Sequence, residues 1–130
     1  MRDLKSILDV VLSLAPAVRT NGTANGTAVD LRGFDAAMVT FTTGAWTDGT
    51  HTPSVQHSDD GTNFTAVPAD AIAGTLTAFT AAGGANAVQR VNYLGGKRYL
   101  RGVIVTAGAT NGATSEVAVV RGRPGVAPIA

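Results

Sequence analysis

The stretch Phe34-Asp-Ala-Ala-Met-Val-Thr-Phe-Thr-Thr43 decides the fold class. Its side chains alternate with a period of two and so define two faces: Ala37, Val39 and Phe41 on one, Met38, Thr40 and Thr42 on the other. A helix would instead repeat its apolar positions every three or four residues. Alternation over this length predicts a β-strand with one buried face.

Comparable runs lie on both sides of this stretch, separated by Gly, Asn and Asp. The further strand candidates are Ile7–Leu14, Ala28–Leu31, Ser54–His57, Phe64–Val67, Leu76–Thr80, Val88–Leu94, Tyr99–Thr106 and Ser115–Arg121. No sequence signal marks a domain boundary within residues 1–130. The pattern therefore predicts one all-β domain, a small β-sandwich or jelly-roll-like barrel of about eight short strands with extended terminal arms.

The segments between the strands carry turn chemistry. Two successive Asn-Gly pairs in Thr20–Thr27 predict turns, because both residue types tolerate positive φ. Ser58–Asn63 predicts a tight turn that joins its neighbouring strands in a hairpin. Gly44–Thr52 is expected to be a loop that carries Trp46, and Asp70–Gly74 a single helical turn or an irregular link.

The same alternation predicts the core. Aromatic and β-branched residues within the strands fit a pleated, half-buried surface. The residues expected to be mostly buried are Phe34, Val39, Phe41, Val55, Phe64, Val91, Leu100, Val103, Val105, Val117 and Val119.

Both ends of the chain differ from the strands between them. Residues 1–20 are expected to form an N-terminal strand or arm. Within them Ile7–Leu14 fits a strand, although its apolar spacing also fits a helix, and Pro16 is expected to end it. Residues 122–130 are expected to form an extended C-terminal arm, because their prolines lack the amide donor that a central strand needs.

Exposure of the apolar residues in these two segments to solvent would be unfavourable. We therefore expect another subunit to cover them. Trp46 is a large aromatic in a predicted loop, where it forms either a lid on the end of the barrel or an anchor in an interface. The candidate protein-interface residues are Leu4, Ile7, Leu8, Trp46, Pro124, Val126, Pro128 and Ile129.

Composition and charge narrow the class of function. The chain has 130 residues and no cysteine. Its formal net charge of +1 does not provide the basic surface that direct nucleic-acid binding needs. No run approaches the roughly 18 apolar residues of a membrane span, so no membrane association is expected. Acidic residues interrupt the signal-like N-terminus at Asp3 and Asp9, which favours cytoplasmic synthesis. A surface this poor in charge is easier to understand if other subunits cover it.

The residue types that catalysis needs are scarce. There is no thiol, and the only histidines are His51 and His57, which could join Asp59 or Asp60 as metal ligands. Their spacing fits no metal motif, and Asp, Gly and Asn are also what a hairpin turn requires. Gly95–Arg98 lies between two predicted strands and therefore has no helix N-terminus to receive a phosphate. No catalytic residue, metal or cofactor is expected, and the chain is not expected to be an enzyme.

Four segments occur in an order that resembles small tailed-phage and prophage virion proteins usually encoded near the major capsid protein. These segments are Val29–Asp35, Gln56–Val67, Tyr93–Arg101 and Val117–Pro128. The resemblance covers nearly the whole chain and implies a virion structural role, capsid decoration or cementing. It implies that the partners are the major capsid protein and copies of this chain, and that the site of action is the capsid surface.

Two alternatives remain open. A neck or tail component, of the connector or tail-tube type, would also be structural but would form rings of fixed small number. A carbohydrate-binding β-sandwich module would usually need several exposed aromatics, and only Trp46 fits that role.

Overall fold

The computed structural model describes residues 4–81 and 85–124. Over these residues the protein is all-β, with a single 3-10 turn at Ala69–Ala71 and no α-helix. The strands are β1 (Leu8–Arg19), β2 (Gly22–Asn25), β3 (Val29–Asp30), β4 (Phe34–Trp46), β5 (Thr50–Ser58), β6 (Thr65–Ala66), β7 (Ile72–Ala73), β8 (Val88–Tyr93), β9 (Tyr99–Ala107) and β10 (Ala113–Pro124).

The strands form two antiparallel sheets. The first sheet has the order β1-β10-β4-β8-β7, and the second has the order β2-β9-β5-β6, with β3 also paired to β9. Strands β5 and β6 form the predicted hairpin, with Gln56 opposite Ala66. The prediction of an all-β, sandwich-like fold is therefore confirmed at this level.

The register of the first sheet shows how alternation builds the core. Val39 of β4 lies opposite Val119 of β10 on one side and opposite Val91 of β8 on the other. All three side chains are buried, so they form one continuous row across the inner face. The next inner residue of β4, Phe41, lies opposite Val117.

Most of the predicted core is confirmed. The buried members are Val39, Phe41, Val55, Val91, Leu100, Val103, Val117 and Val119. Phe34 and Phe64 are half-buried. Val105 was predicted wrongly, because it is 42% exposed while its neighbour Ile104 is 1% exposed. In β9 the even-numbered positions from Leu100 onward point inward, so Ile104 rather than Val105 contributes to the core.

The N-terminal strand is longer than predicted, and Pro16 does not end it. β1 continues to Arg19 as an edge strand that pairs, among the described strands, with β10 alone, and its register shifts between Leu14 and Ala17. A proline is tolerated at such a shift on a sheet edge because no neighbour needs its missing amide proton. Leu8–Arg19 is thus a strand of the domain's own first sheet.

The predicted C-terminal arm begins too early. Gly122 and Pro124 belong to β10, where they lie opposite Ala36 and Phe34 of β4. Pro124 is the last residue of β10 that the structure describes. Residues 125–130 of the predicted arm lie outside the described residues.

Three further sequence assignments differ from the structure. The stretch Leu76–Thr80 is not a strand and makes only a single bridge, between Phe79 and His51. Thr20–Thr27 contains strand β2 as well as a turn. Gly22 has the positive φ that a turn predicts, whereas the second Asn-Gly pair does not. β4 and β5 extend into the predicted loop around Trp46 and reduce it to residues 47–49.

Ser13 joins the edge of the first sheet to the second sheet. Its Oγ accepts the backbone N–H of Gly102 at 3.1 Å and donates to the carbonyl of Thr27 at 2.8 Å. The N–H of Gly26 in turn donates to the carbonyl of Gly102 at 2.8 Å. These bonds satisfy backbone groups at the corner of the sandwich that burial would otherwise leave unpaired.

Candidate protein-interaction surfaces

The side of the first sheet that faces away from the core carries an apolar surface, which we call the outer face. It is defined by two cross-strand rows of the register: Val10, Val120 and Met38 in one, Leu12, Ala118 and Thr40 in the other. These are the alternate positions to the buried rows, and no strand among the described residues covers them.

Large apolar side chains are concentrated on this side of the molecule. Seven of them are exposed within the part of the chain that the structure describes, and four of these project from the outer side of the first sheet: Val10, Leu12, Val18 and Val88. Val10, the most exposed, is 63% accessible. Contiguous apolar surface of this kind marks interaction sites, whereas singly scattered apolar residues do not.

Two charged side chains border the outer face. Arg90 of β8 follows Thr40 in the second row, and Glu116 of β10 lies opposite Thr42 in the row beyond it. Neither has an ion-pair partner within residues 4–81 and 85–124. The face thus presents one unpaired cation and one unpaired anion at its margin.

One end of the sandwich gathers several of the predicted interface residues. Leu4 is exposed and Ile7 half-buried in the turn before β1, where the N–H of Leu8 donates to the carbonyl of Leu4 at 2.9 Å. Leu8 lies opposite Gly122, next to the end of β10 at Pro124. The structure therefore brings Leu4, Ile7, Leu8 and Pro124 to one end. The candidates Val126, Pro128 and Ile129 lie outside the described residues.

A groove of about 380 Å³ lies at the same end, lined by the start of β4 and the segment before β9. Two of its three basic side chains are paired: Arg98 donates twice to Asp30, at 2.9 and 2.7 Å, and Lys97 contacts Asp59 at 2.6 Å. The third, Arg32, has no ion pair among the described residues. The Arg98 hydrogen bonds lower the pKa of Asp30 to about 2. These ion pairs neutralise Arg98 and Lys97.

Trp46 lies at the opposite end of the first sheet, paired with Ala113, and is therefore separate from the other candidates. It is the last residue of β4, and its side chain is half-buried. Its Nε1 donates to the carbonyl of Gly49 at 3.0 Å. The indole is thus hydrogen-bonded to the short β4–β5 connection.

Asp48 organises this end and was not singled out from the sequence. Its carboxylate accepts the backbone N–H groups of Thr110, Asn111 and Gly112, at 3.0, 3.1 and 2.6 Å. These bonds, that from Gly112 foremost, lower its pKa. Asp48-Gly49 is a visible turn signal, but the residues that donate to the Asp48 carboxylate are more than sixty positions away in the chain. Sequence pattern alone therefore could not reveal this set of hydrogen bonds, which we call the Asp48 clamp.

The Asp48 clamp predicts a pH-dependent contribution to stability. Because the carboxyl pKa is lower in the folded state than its ordinary value of 3.8, the charged form stabilises the fold above that pH. The contribution disappears as the pH falls through the folded pKa. We expect Asp48→Asn to lower the melting temperature at pH 7 and the difference from wild type to shrink toward pH 2. Asp35→Asn, at an exposed position, is the matched control and should have little effect at either pH.

The two histidines serve separate packing roles. His51 is fully buried and stacks on Phe79, with Nδ1 3.0 Å from Thr106 Oγ1 and Nε2 3.0 Å from the carbonyl of Asp48. His57 Nδ1 lies 2.8 Å from the hydroxyl of Tyr93, and burial lowers its pKa. Within the described part of the chain, no three His, Cys, Asp or Glu side chains group in a way that could hold a metal ion.

The proposed turn at Ser58–Asn63 is present and internally satisfied. The carboxylate of Asp60 accepts the N–H groups of Thr62 and Asn63 at 2.9 and 2.8 Å. Backbone hydrogen bonding, from Asn63 first, holds the pKa of Asp60 well below its usual range. Asp60 therefore closes a hairpin, as the turn interpretation predicts.

No protein-family model matches this chain, and no curated protein matches it closely enough to indicate a relative. Among the residues described, no helix has the length and hydropathy needed to cross a bilayer.

Proposed function

We propose that this chain is a virion structural protein of a tailed phage, and that it decorates the capsid by binding the lattice of the major capsid protein. The proposal rests on the order of the four sequence segments and on the character of the surface. It assigns the protein a binding role at the capsid surface, with no catalytic residue and no cofactor. The finer prediction of a jelly-roll-like barrel forms part of the same proposal.

The observation that carries the proposal is the apolar outer face. A free monomer gains nothing from exposing Val10, Leu12, Val18 and Val88, whereas burial of such a side chain contributes about 1.5–3 kcal/mol. The formal net charge of +1 adds little electrostatic solubility to offset this exposure. Both properties suit a subunit that works within a larger assembly.

The residues that carry the resemblance have structural contacts, which also supports a non-catalytic role. Asp60 closes the hairpin turn, and Arg98 binds Asp30 across the start of β9. Arg101 lies over the ring of Phe64, with 4.0 Å from its Cζ to the ring centroid, and donates to Gln56. Side chains used in this way maintain a fold whose surface makes the contacts.

A neck or tail component remains the second proposal, because the same surface could assemble into a ring. A carbohydrate-binding module is less well supported. Trp46, its only candidate platform, is half-buried and committed to a hydrogen bond with Gly49. Sugar binding would need an aromatic face open to solvent.

Binding to capsids tests the proposal directly. We expect the purified protein to co-sediment with heads assembled from the major capsid protein, saturating at a fixed number of copies per capsomer. Repetition of the site over the lattice should give high avidity even if each contact is modest. Binding confined to one vertex would favour the neck or tail proposal, and absence of binding to heads and tails would contradict both.

Deletion of residues 125–130 tests whether the C-terminal segment contributes to that binding. We expect the melting temperature to be retained and the occupancy on heads to fall. Deletion of residues 122–130 is the contrasting variant. It also removes the residues of β10 that pair with Ala36 and Phe34, so it should lower the melting temperature as well. Unchanged occupancy after the shorter deletion would remove the segment from the interface.

A further inference from the structure

We propose that two copies of this chain associate through their outer faces, related by a twofold axis, with Arg90 of each copy paired to Glu116 of the other. This inference deepens the proposed function by naming a second copy as the occupant of one surface. Three features of the structure support it: the charges at the margin, the geometry of the face, and its size.

Charge complementarity is the first feature. Arg90 and Glu116 border the same apolar face, carry opposite charges and have no ion-pair partner in the described part of the chain. A twofold interface places the same surface on both copies, so each residue that contacts a second residue is contacted by it in return. One cation and one anion on a single face therefore suffice for two equivalent ion pairs.

The geometry of the sheet is the second feature. From Glu116 to Arg90 the step is two strands across and two residues along, about 10 Å and 7 Å on an idealised sheet. From Leu12 to Met38 the step is the same in length and direction. On this idealised sheet the line that joins the midpoints of the two steps is also perpendicular to both of them. A twofold axis along that line, in the plane of the interface, therefore exchanges Arg90 with Glu116 and Leu12 with Met38.

That same axis crosses β10 between Ala118 and Val120, at the centre of the apolar rows. Ala118 is small and only 6% exposed there, while Leu12 of one copy lies opposite Met38 of the other. Apolar residues thus occupy the middle of the contact and charged residues its margin, which is the usual arrangement of a protein interface.

Size is the third feature. Four strands about 4.8 Å apart and eight residues long give a projected area on the order of 500 Å² per copy. Two copies would bury on the order of 1,000 Å² or more, which reaches the lower bound for a specific interface. The formal net charge of +1 gives little repulsion between copies as they approach.

Charge exchange in the full chain tests the proposal by sedimentation velocity over a dilution series. We expect wild type to sediment at twice the 13.1 kDa mass of one chain. Arg90→Glu and Glu116→Arg each place like charges opposite each other at both contacts, and should raise the dimer dissociation constant by about tenfold or more. The double variant R90E/E116R restores opposite charges and should return the constant to near the wild-type value.

A second pair of variants tests the apolar centre. Val10→Lys should favour the monomer, whereas Val105→Lys, a matched change on the exposed side of the second sheet, should leave the dimer unchanged. Sedimentation of wild type as a monomer throughout, a dimer unaffected by Val10→Lys, or a double variant as weak as the single ones would each overturn the proposal. The experiment uses isolated protein, so a monomer that still binds capsids would refute this inference alone, and a dimer that does not bind them would refute the proposed function alone.

Discussion

Replacing Phe41 by alanine is expected to lower the free energy of unfolding by about 3–5 kcal/mol. Phe41 is 2% exposed and belongs to the core cluster between the two sheets. It lies opposite Val117 in β10 and opposite Gln89 in β8, so strands on both sides fix its position. The substitution removes the favourable free energy of transferring the ring from water into the core. It also leaves a cavity, and β4 cannot shift to fill this cavity because it is paired on both sides.

Urea denaturation monitored by circular dichroism measures this loss. The matched control is Thr42→Ala, because Thr42 is the adjacent residue of β4 and projects from the opposite, partly exposed side. We expect that control to cost less than about 1 kcal/mol. If Phe41→Ala cost no more than the control, the assignment of the inner face of β4 would be wrong.

The second large effect is expected at Gly102, where the two sheets meet. A Cβ at this position would lie within 3.0 Å of three side-chain carbons of Val117, which is fully buried in the opposite sheet. Gly102 lies opposite Val55 in the middle of the second sheet, so its backbone cannot move away without disturbing that pairing. We expect Gly102→Ala to cost about 3 kcal/mol, the upper end of ordinary overpacking.

A double-mutant cycle tests the cause. Val117→Ala removes the methyl groups that the new Cβ would meet, so the two changes together should cost less than the sum of their separate effects, by about 0.5–3 kcal/mol. Gly96→Ala is the matched control, since a Cβ there meets nothing within 4 Å. Additive costs at Gly102 and Val117 would show that the close approach of the sheets is not the source of the destabilisation.

The clearest sequence pattern gave the most reliable assignment. Over residues 37–42 of β4 one face carries Ala, Val and Phe and the other carries Met and Thr, so the alternation identifies the inner side. β9 contains Val103, Ile104 and Val105 in succession, and both faces of the strand are apolar there. Periodicity cannot choose between Ile104 and Val105 in such a run, because only the pairing with β2 and β5 decides which side faces the core.

The two prolines show a different limit. The sequence predicts that Pro16 ends its strand and that Pro124 lies in an extended arm, because a proline lacks the amide donor that a central strand needs. In the structure Pro16 sits at a register shift on an edge and Pro124 at the end of β10. The missing amide donor of a proline destabilises a strand only where a neighbouring strand offers an acceptor opposite it. That neighbouring strand comes from a distant part of the chain, so the local sequence does not identify it.

The outer face was beyond sequence reasoning for the same reason. The sequence places Val10 and Leu12 in an N-terminal strand or arm, and no local pattern indicates that Val120 and Ala118 lie beside them. The surface exists only because β1 pairs with β10 and β10 with β4. Leu8, which was singled out, was identified by its apolar character at an expected chain terminus rather than by its place in the sheet.

The position of β10 also affects the order in which the protein can form during translation. β10 follows every other described strand in the sequence, yet in the first sheet it lies between β1 and β4. Until it leaves the ribosome, β1 has no partner in its sheet, and the apolar sides of both neighbours stay open to solvent. Pairings between such distant segments form slowly, typically in milliseconds to seconds, and exposed strands can associate wrongly in the interval. The first sheet can therefore be completed only after the residues of β10 have been synthesised.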